Sequence, residues 1–328
     1  MPDISLPFSG DTPLASPSPF HAGETAVQQR ANVQALAETI GRRAIRDAMP
    51  EQHRLFFEAQ PLMIFGGMDA DAQPWATVRI GAPGFVRAPD MHTLSIRGGA
   101  LPDDPLRDAW KVGAPIGGLG IQPHTRRRNR VNGVITSVDG DTVTLQVLQS
   151  FGNCPRYIQA RAPESIDADS RATSVLTRRK TLSSEDRALI SRSDTFFIAS
   201  ANTSADAGMA GGVDVSHRGG LPGFVHIDDD STLTAPDYAG NKFFNTLGNL
   251  AQNPRAGLLF IDFTSGDLLY LATRADILWD APEQDRFPLA ERLVRFTLLD
   301  VRRSNGALPF RWTAATYARE LAPPVAAL

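Results

Sequence analysis

Ser216, His217 and Arg218 place a hydroxyl, an imidazole and a guanidinium side by side, directly before two glycines. In a strand, alternate side chains point to the same face, so Ser216 and Arg218 would share one face and His217 would point the other way. A hydroxyl and a guanidinium on one face suit a phosphate, and Gly219 would let the backbone come close to it. The alternative is an arginine that braces its own turn. Local sequence alone favours that simpler interpretation.

A second polar group surrounds a turn and a predicted helix start between residues 240 and 250. Asn245 and Thr246 would lie at the beginning of this short helix, where free backbone N–H groups favour an anion. Asn241 and Lys242, in the preceding turn, could add further donors. The alternative is an ordinary capped helix that ends before Pro254.

The densest charge cluster is the run of arginines at residues 126–130. It could form a solvated hairpin, a nucleic-acid patch, or a clamp for a phosphate or an acidic cofactor. No interleaved aromatic residues and no overall basic charge support nucleic acid. Strand alternation would send Arg126, Arg128 and Arg130 one way and Arg127 and Asn129 the other, so part of the run can serve a site. Arg127 and Arg130 are the candidates for such a clamp.

A metal site is not predicted. His21 and Glu24 could supply two metal ligands. Two ligands make an incomplete site, and the sequence shows no evident third ligand. A helix start with Glu24 in its first turn is the better interpretation, because an acidic side chain there is stabilised by the helix dipole.

The composition is that of a soluble globular protein, with 42% hydrophobic and 21% charged residues. A net charge of −3 favours neither nucleic acid nor an anionic membrane as a partner. No apolar run approaches the roughly 20 residues of a membrane helix, and residues 1–19 lack the basic start and apolar core of a secretory signal. One cysteine, Cys154, excludes an internal disulfide framework. These features predict a cytoplasmic protein with reduced thiols.

The elements that must position these residues occur in two copies. Residues 75–86 recur, much altered, at residues 214–225, and the register holds without a gap as far as residues 93–94 and 232–233. A repeat of this length predicts two copies of one folding unit. Because the second copy has changed its polar residues, the two copies would do different jobs.

Short apolar or alternating runs predict strands within both copies. They lie at residues 62–65, 75–80, 116–121 and 142–148 and, in the second copy, at 195–199, 256–261 and 294–298. One or two helices are predicted within 25–48, another at 51–58, and a helix start at 183–186. Frequent glycines and prolines favour short strands joined by turns. The pattern predicts a mainly β (α+β) protein of two small antiparallel barrels with a few helices, joined by a polar linker at residues 161–173.

The second copy resembles the FMN-binding split barrels of the pyridoxamine 5′-phosphate oxidase-like superfamily. The motifs that carry the resemblance are SHRGGLPGF at 216–224, PDYAGN at 236–241, NTLGNL at 245–250 and NPRAGLLF at 253–260. The first copy resembles the companion barrel of a two-barrel branch, through TRRRNRVNG at 125–133 and QSFGNCPRYI at 149–158. The resemblance implies tandem split barrels, with an N-terminal barrel and helical arm in residues 1–165 and an FMN-binding barrel in residues 166–328.

In single-barrel oxidases of this superfamily the flavin lies between two subunits, and the covalent repeat would mimic that dimer. The resemblance therefore implies FMN at the junction of the barrels, with residues 149–158 reaching over the ring. Cys154 itself is interpreted as a small buried hydrophobe and not as a nucleophile. The implied cofactor-binding residues are Ser216, His217, Arg218, Gly219, Asn241, Lys242, Asn245, Thr246, Arg127, Arg130, Gln149, Asn153, Cys154 and Tyr157.

The first functional hypothesis is an FMN-dependent oxidoreductase with a small-molecule substrate and no identified catalytic residue. Some relatives resemble fusions to a flavin reductase and a ferredoxin-like module, and this sequence contains neither. Electrons would then come from NAD(P)H or from a separate reductase or ferredoxin partner. The alternatives are a protein that binds a flavin, haem or deazaflavin for storage or sensing, and a scaffold with an empty site. A homodimer is left open.

Overall fold

The computed structural model describes residues 17–98, 101, 103–165 and 175–321. Most of the predicted N-terminal arm and residues 166–173 of the predicted linker lie outside the described residues. Within the described part of the chain, no helix has the length and apolar character needed to cross a membrane.

The first half of the chain forms a seven-stranded antiparallel sheet. Its strands are β1 (Leu62–Met68), β2 (Pro74–Ile80), β3 (Val86–Arg87), β4 (Thr93–Arg97), β5 (Pro115–Gln122), β6 (Arg127–Asp139) and β7 (Thr142–Gly152). They lie in the order β2-β1-β5-β6-β7-β4-β3. A short strand, β8 (Pro163–Ser165), follows this sheet in the chain.

The second half forms an eight-stranded antiparallel sheet. Its strands are β9 (Leu176–Arg179), β10 (Thr195–Asn202), β11 (Gly212–Gly219), β12 (His226–Ile227), β13 (Thr232–Tyr238), β14 (Arg255–Ile261), β15 (Leu268–Leu278) and β16 (Ala290–Ser304). Their order is β11-β10-β14-β15-β16-β13-β12, with β9 beside β16. The last strand, β17 (Phe310–Trp312), pairs with β8 in a separate two-stranded sheet.

The two large sheets have the same strand order once β1–β7 are matched to the corresponding strands of the second half. This agreement confirms the mainly β fold of two antiparallel units predicted from the repeat. The alternating run at 294–298 is also confirmed, because Val294, Phe296 and Leu298 are buried and the residues between them are more exposed. The start of the predicted linker is more ordered than expected, since it contains β8 and the buried Arg161.

The described residues form five α-helices. They are α1 (Ala22–Arg30), α2 (Gln34–Ala44), α3 (Glu51–Glu58), α4 (Ser184–Arg192) and α5 (Asn245–Gln252). The predicted helical region 25–48 is divided at Asn32, whose φ of 54° lies in the left-handed region that asparagine tolerates better than most residues. The predicted helix starts carry capping boxes, His21 with Glu24 and Ser183 with Asp186.

One apolar core lies between the two sheets. Phe65 and Trp75 of the first sheet belong to the same buried cluster as Phe197, Val215 and Tyr270 of the second. Burial of this surface from both sides removes apolar area from water and holds the halves together. The predicted boundary at residue 165 falls between the two sheets in the chain. That the chain on each side of this boundary forms a domain stays a prediction.

Two glycines at corresponding places in the repeat let the sheets approach closely. A Cβ at Gly117 would lie 2.5 Å from the carbonyl oxygen of Val213, and one at Gly257 would lie 2.3 Å from that of Pro74. A side chain at either position would force the sheets apart. The repeated sequence thus positions β5 against β11 and β14 against β2 in matching contacts.

Candidate functional site

A cavity opens where the two halves meet, and we call it the junction cavity. Its walls come from β6 and the segment after β7 in the first half, and from β11, β13 and the start of α5 in the second. It comprises about 670 Å³ of space, part of it open to solvent.

Ten of the predicted residues line the junction cavity. They are Ser216, His217, Arg218, Asn241, Lys242, Asn245, Thr246, Arg130, Asn153 and Cys154. The fold therefore brings together three segments that the sequence analysis considered separately. Their role in binding a cofactor remains a prediction.

Two of the predicted residues, Arg127 and Gln149, do not line the junction cavity. Arg127 donates a hydrogen bond to the carbonyl of Gln52 at 2.9 Å and covers the ring of Phe56, so its assignment to the clamp is wrong in this structure. Gln149 is directed to the N-terminal segment, where it donates to the carbonyl of Pro19 at 3.2 Å. The strand β6 begins at Arg127, and its alternation turns Arg128 and Arg130 towards the junction cavity instead.

Gly219 and Tyr157 lie beside the junction cavity and do not line it. A Cβ at Gly219 would come within 2.0 Å of the carbonyl oxygen of Tyr157, so backbone packing already requires a glycine here. The Tyr157 ring packs against Tyr238 at 5.1 Å between centroids, and its hydroxyl donates to the carbonyl of Ala239. Tyr157 thus lies next to the lining, and its part in binding a cofactor stays a prediction.

Several residues of this lining were not predicted from the sequence as site residues. They are Leu119, Arg128, Asp237, Tyr238, Gly240, Phe244, Leu247 and Glu291. Arg128 could have been found, because the alternation argument already placed it on the same face as Arg130. The two carboxylates could not, since nothing in the chain near Asp237 or Glu291 indicates which cations they approach.

A chain of ion pairs runs along one wall of the junction cavity. Arg218 pairs with Asp237, which also accepts a hydrogen bond from Arg292 at 2.7 Å. Arg292 reaches Glu291 at 2.8 Å, and Glu291 pairs with Lys242. These bonds hold the Arg218 and Lys242 side chains in place, so little further ordering is needed when a ligand binds.

The lining carries more positive than negative charge. Arg128, Arg130, Arg218 and Lys242 are cations, whereas Asp237 and Glu291 are the lining carboxylates. A cleft with an excess of one charge raises the local concentration of ligands of the opposite charge. The junction cavity therefore favours an anion.

The beginning of α5 adds free N–H groups to this anion site. Phe244 occupies the N-cap position with φ of 61°, and no side chain among the described residues caps the helix there. Thr246 donates its hydroxyl to Ser216 Oγ at 3.0 Å. The first N–H groups of a helix have no partner within it and form a ready anion site. The prediction that Asn245 and Thr246 lie at a helix start is confirmed. The alternative, an ordinary capped helix, is not confirmed at this end, since no described side chain caps it.

A buried polar cluster lies behind the cavity wall. Asp214 accepts hydrogen bonds from Arg130 at 2.8 Å, Asn132 at 2.7 Å and Asn249 at 3.0 Å. Glu24, on α1, accepts from its own helix cap and from Asn245. Arg130 also donates to Ser216. The cluster therefore fixes Arg130 in the wall, and its two carboxylates are the part that costs most to bury.

Burial raises the pKa of Glu24 to about 8, and the nearby negative charge of Asp214 adds to the rise. A folded protein that holds this proton loses stability as the pH rises from 4.5, the ordinary value, to 8. Burial lowers the pKa values of His21, His53 and His217, so the unfolded chain holds more protons on these groups than the folded chain until about one pH unit above 6.5. The three histidines therefore raise stability as the pH rises through this range, and Glu24 acts in the opposite direction. A comparison with a variant that lacks the Glu24 proton isolates its contribution.

We expect the free energy of unfolding to fall by about 1–2 kcal/mol between pH 6.5 and 8 because of Glu24. Urea unfolding of Glu24→Gln should lack this fall, so the stability of the variant relative to the parent should rise by about 1–2 kcal/mol between pH 6.5 and 8, since glutamine has no proton to lose. Glu51→Gln, which changes an exposed acid in the first turn of α3, is the control and should keep the slope of the parent. An unchanged slope in Glu24→Gln would contradict the assignment.

His217 is a neutral imidazole of defined tautomer. Arg128 donates to its Nδ1 at 2.9 Å, and an arginine can only donate, so the proton of the ring lies on Nε2. Burial and the charges of Arg128 and Arg161 hold the pKa of His217 well below its usual range. His217 therefore cannot act as a cationic partner of a phosphate near neutral pH.

Metal-binding groups are not evident at this site. Among the described residues, no cluster of three or more histidine, cysteine or acidic side chains could hold an ion. His21 instead accepts at Nδ1 from the N–H groups of Gly23 and Glu24, and its Nε2 lies 2.9 Å from Asn249. Cys154 is half-buried in the cavity wall, 3.7 Å from a nitrogen of Arg128, so it is less enclosed than predicted.

Residues 182–320 match the family model described as pyridoxamine 5′-phosphate oxidase, and this match covers less than half of the chain. This part of the protein is similar to the pyridoxamine 5′-phosphate oxidase family. The match includes β11, β13 and α5, which form the second half's wall of the junction cavity. No curated protein matches the chain.

Several solved structures align with about one third of the chain. A pyridoxamine 5′-phosphate oxidase homologue from Lactobacillus delbrueckii is 16% identical with a TM-score of 0.30, over 38% of this chain and 94% of that one. HupZ of Group A Streptococcus is 13% identical with a TM-score of 0.29, over 36% and 90%. An FMN-binding protein from Syntrophomonas wolfei is 13% identical with a TM-score of 0.27, over 36% and 86%.

Proposed function

We propose that the protein binds FMN in the junction cavity. The observation that carries the proposal is the uncapped beginning of α5, which opens into a cavity lined by four cationic side chains. The phosphate of FMN would accept hydrogen bonds from the first N–H groups of α5, with Arg218 and Lys242 beside it. Each charge-assisted hydrogen bond of this kind contributes about 1.5–3 kcal/mol. The match of residues 182–320 to the pyridoxamine 5′-phosphate oxidase family model supports a flavin as the anionic ligand.

Two buried polar atoms in the cavity wall suit the rest of the cofactor. Asn153 Nδ2 and Arg130 Nε are buried without a partner among the described residues. Buried donors in native proteins nearly always have an acceptor, and the ribityl oxygens or the polar edge of the flavin ring would supply one. The segment that carries Asn153 comes from the first half, so the cofactor would be held by both halves, as the resemblance implied.

We further propose that the protein is an oxidoreductase that takes electrons from NAD(P)H or from a partner reductase. A bound flavin supplies hydride or electron transfer, and the protein supplies binding, orientation and electrostatics. Arg128 and Arg130 would hold positive charge close to the ring. His217, being neutral, would offer an N–H group and no positive charge.

Flavin binding without catalysis is the second candidate. It is favoured by one observation: each acidic or basic group that lines the junction cavity has a polar partner in the protein. None of these groups is poised as a free general acid or base in the described lining. Storage or sensing of a flavin would need no such group.

The test uses the full-length protein. Calorimetry and visible absorption should show saturable binding of FMN and much weaker binding of riboflavin, which lacks the phosphate. Anaerobic addition of NADH or NADPH to the FMN complex should then bleach the flavin band, with recovery in air. FMN binding without bleaching by either nucleotide or by an added reductase would favour the second candidate. A colourless protein that does not bind FMN would exclude both.

A further inference from the structure

A second cavity lies on the other side of His217, and we call it the apolar cavity. It is walled mainly by Leu62, Ile121, Phe197, Ile261, Phe263 and Trp312, which come from both sheets and from β17. Its cavity volume is about 140 Å³, and it is partly open to solvent. An apolar cavity of about this volume holds one benzene ring in another protein. None of these wall residues was selected from the sequence.

Two buried donors face this cavity without an acceptor. His217 is 7% exposed, its Nδ1 is occupied by Arg128, and its Nε2–H makes no hydrogen bond with any described residue. Its ring meets Phe197, a wall residue, edge to face at 5.7 Å between centroids. Because the Nδ1 edge is turned to Arg128 and the junction cavity, we place the Nε2–H at the apolar cavity.

Arg161 is the second donor. Its side chain is also 7% exposed and lies with the guanidinium 3.9 Å from the centroid of Phe263. Its charge is balanced by Asp194, yet its Nε is buried without a partner. The Oε1 atom of Gln60, on the same wall, is likewise unpartnered. Several unsatisfied polar atoms on an otherwise apolar cavity are typical of a site whose ligand fixes its orientation through them.

We propose that the apolar cavity binds a single-ring organic molecule whose carbonyl or carboxylate oxygen accepts hydrogen bonds from His217 and Arg161. The ring would fill the apolar space and remove its surface from water. The oxygen would satisfy donors that the fold leaves without acceptors. The proposal goes beyond flavin binding and does not rest on it, since neither wall nor donors require an occupied junction cavity.

Flavin-free protein is titrated with benzoate, acetophenone and toluene, and binding is followed by calorimetry and by tryptophan fluorescence, to which the wall residue Trp312 contributes. The first two ligands carry a carboxylate and a carbonyl oxygen, whereas toluene has a ring of the same size and no acceptor. We expect a Kd of about 1 mM or tighter for benzoate or acetophenone, and binding of toluene that is at least about tenfold weaker. The tighter of the first two identifies the oxygen type. Equal affinity for all three ligands, or no saturable binding, would overturn the proposal.

Two variants separate the ligand site from effects on folding. Ile121→Phe adds a ring inside the cavity and should abolish binding, while the same change at the exposed Ile40 should leave it unchanged. His217→Phe keeps a ring and removes the N–H group, so it should weaken benzoate or acetophenone about tenfold and leave toluene unaffected. Binding that survives Ile121→Phe would show that the ligand lies elsewhere. A crystal structure with benzoate that contains only ordered water in the cavity would also overturn the proposal.

Discussion

Arg218→Ala is expected to weaken FMN binding by about tenfold to a hundredfold, because it removes a charge-assisted hydrogen bond to the phosphate. The loss should leave the fold nearly intact. Arg218 is about one quarter exposed, and its partner Asp237 keeps a second ion pair with Arg292. No buried carboxylate is therefore left alone. Calorimetry with FMN measures the affinity, and urea unfolding measures the stability of the same sample.

Two controls make this result specific. Arg295→Ala removes an arginine of comparable exposure that pairs with Glu283 outside the junction cavity, and it should keep the affinity of the parent. Arg79 occupies the place of Arg218 in the first copy, but it is buried over the ring of Trp110 at 3.7 Å. Arg79→Ala should thus lower stability without weakening FMN binding to the folded protein. Equal loss of affinity in Arg218→Ala and Arg295→Ala would contradict the site.

Asp214→Ala is expected to lower the free energy of unfolding by about 3–5 kcal/mol, since it leaves the buried Arg130 without its carboxylate. Asn132 and Asn249 would lose an acceptor in the same step. The matched control is Asp141→Ala, which removes an exposed aspartate paired with Arg97 at 4.0 Å. A surface pair of this kind contributes about 0–1 kcal/mol, so urea unfolding should separate the two variants clearly.

The same variant carries a second readout. The negative charge of Asp214 helps to raise the pKa of Glu24, so its removal should lower that pKa. The loss of stability with rising pH should then end at a lower pH and be smaller in total. A purely steric defect at Asp214 would lower stability by the same amount at every pH. A cost below about 1 kcal/mol, or a loss that does not vary with pH, would show that Asp214 and Glu24 do not share one electrostatic cluster.

The sequence pattern alone predicted the local structure wherever the contacts that determine it join residues close together in the chain. The capping box of Ser183 and Asp186 spans three residues, and the alternation at 294–298 reads directly as one buried strand face. The repeat also allowed a prediction about the tertiary structure, because two copies of one sequence pattern must adopt one topology. For that reason the two sheets could be expected to share one strand order, although the sequence did not predict which order.

The choice among neighbouring polar residues needed the tertiary structure. Arg127 and Arg128 are adjacent and identical in type, and the strand start at Arg127 decides that only Arg128 faces the junction cavity. Gly219 reads as a phosphate-binding glycine, yet the contact that requires it is the backbone at Tyr157. For Gly219 the deciding partner is remote in the chain, so the sequence could not identify it.

By itself the sequence determined the duplicated β fold, the helix starts and the polar segments that meet at the junction. The alternation of hydrophobic residues and the helix caps involve residues close together in the chain, and the repeat is visible by comparing the chain with itself. Only the tertiary structure decided that Glu24 joins Asp214 in one buried cluster, that two carboxylates line the wall beside four cations, and that an apolar cavity lies behind His217. Those features depend on distances between residues far apart in the chain, and on burial, which sets the pKa of Glu24 and leaves donors without acceptors.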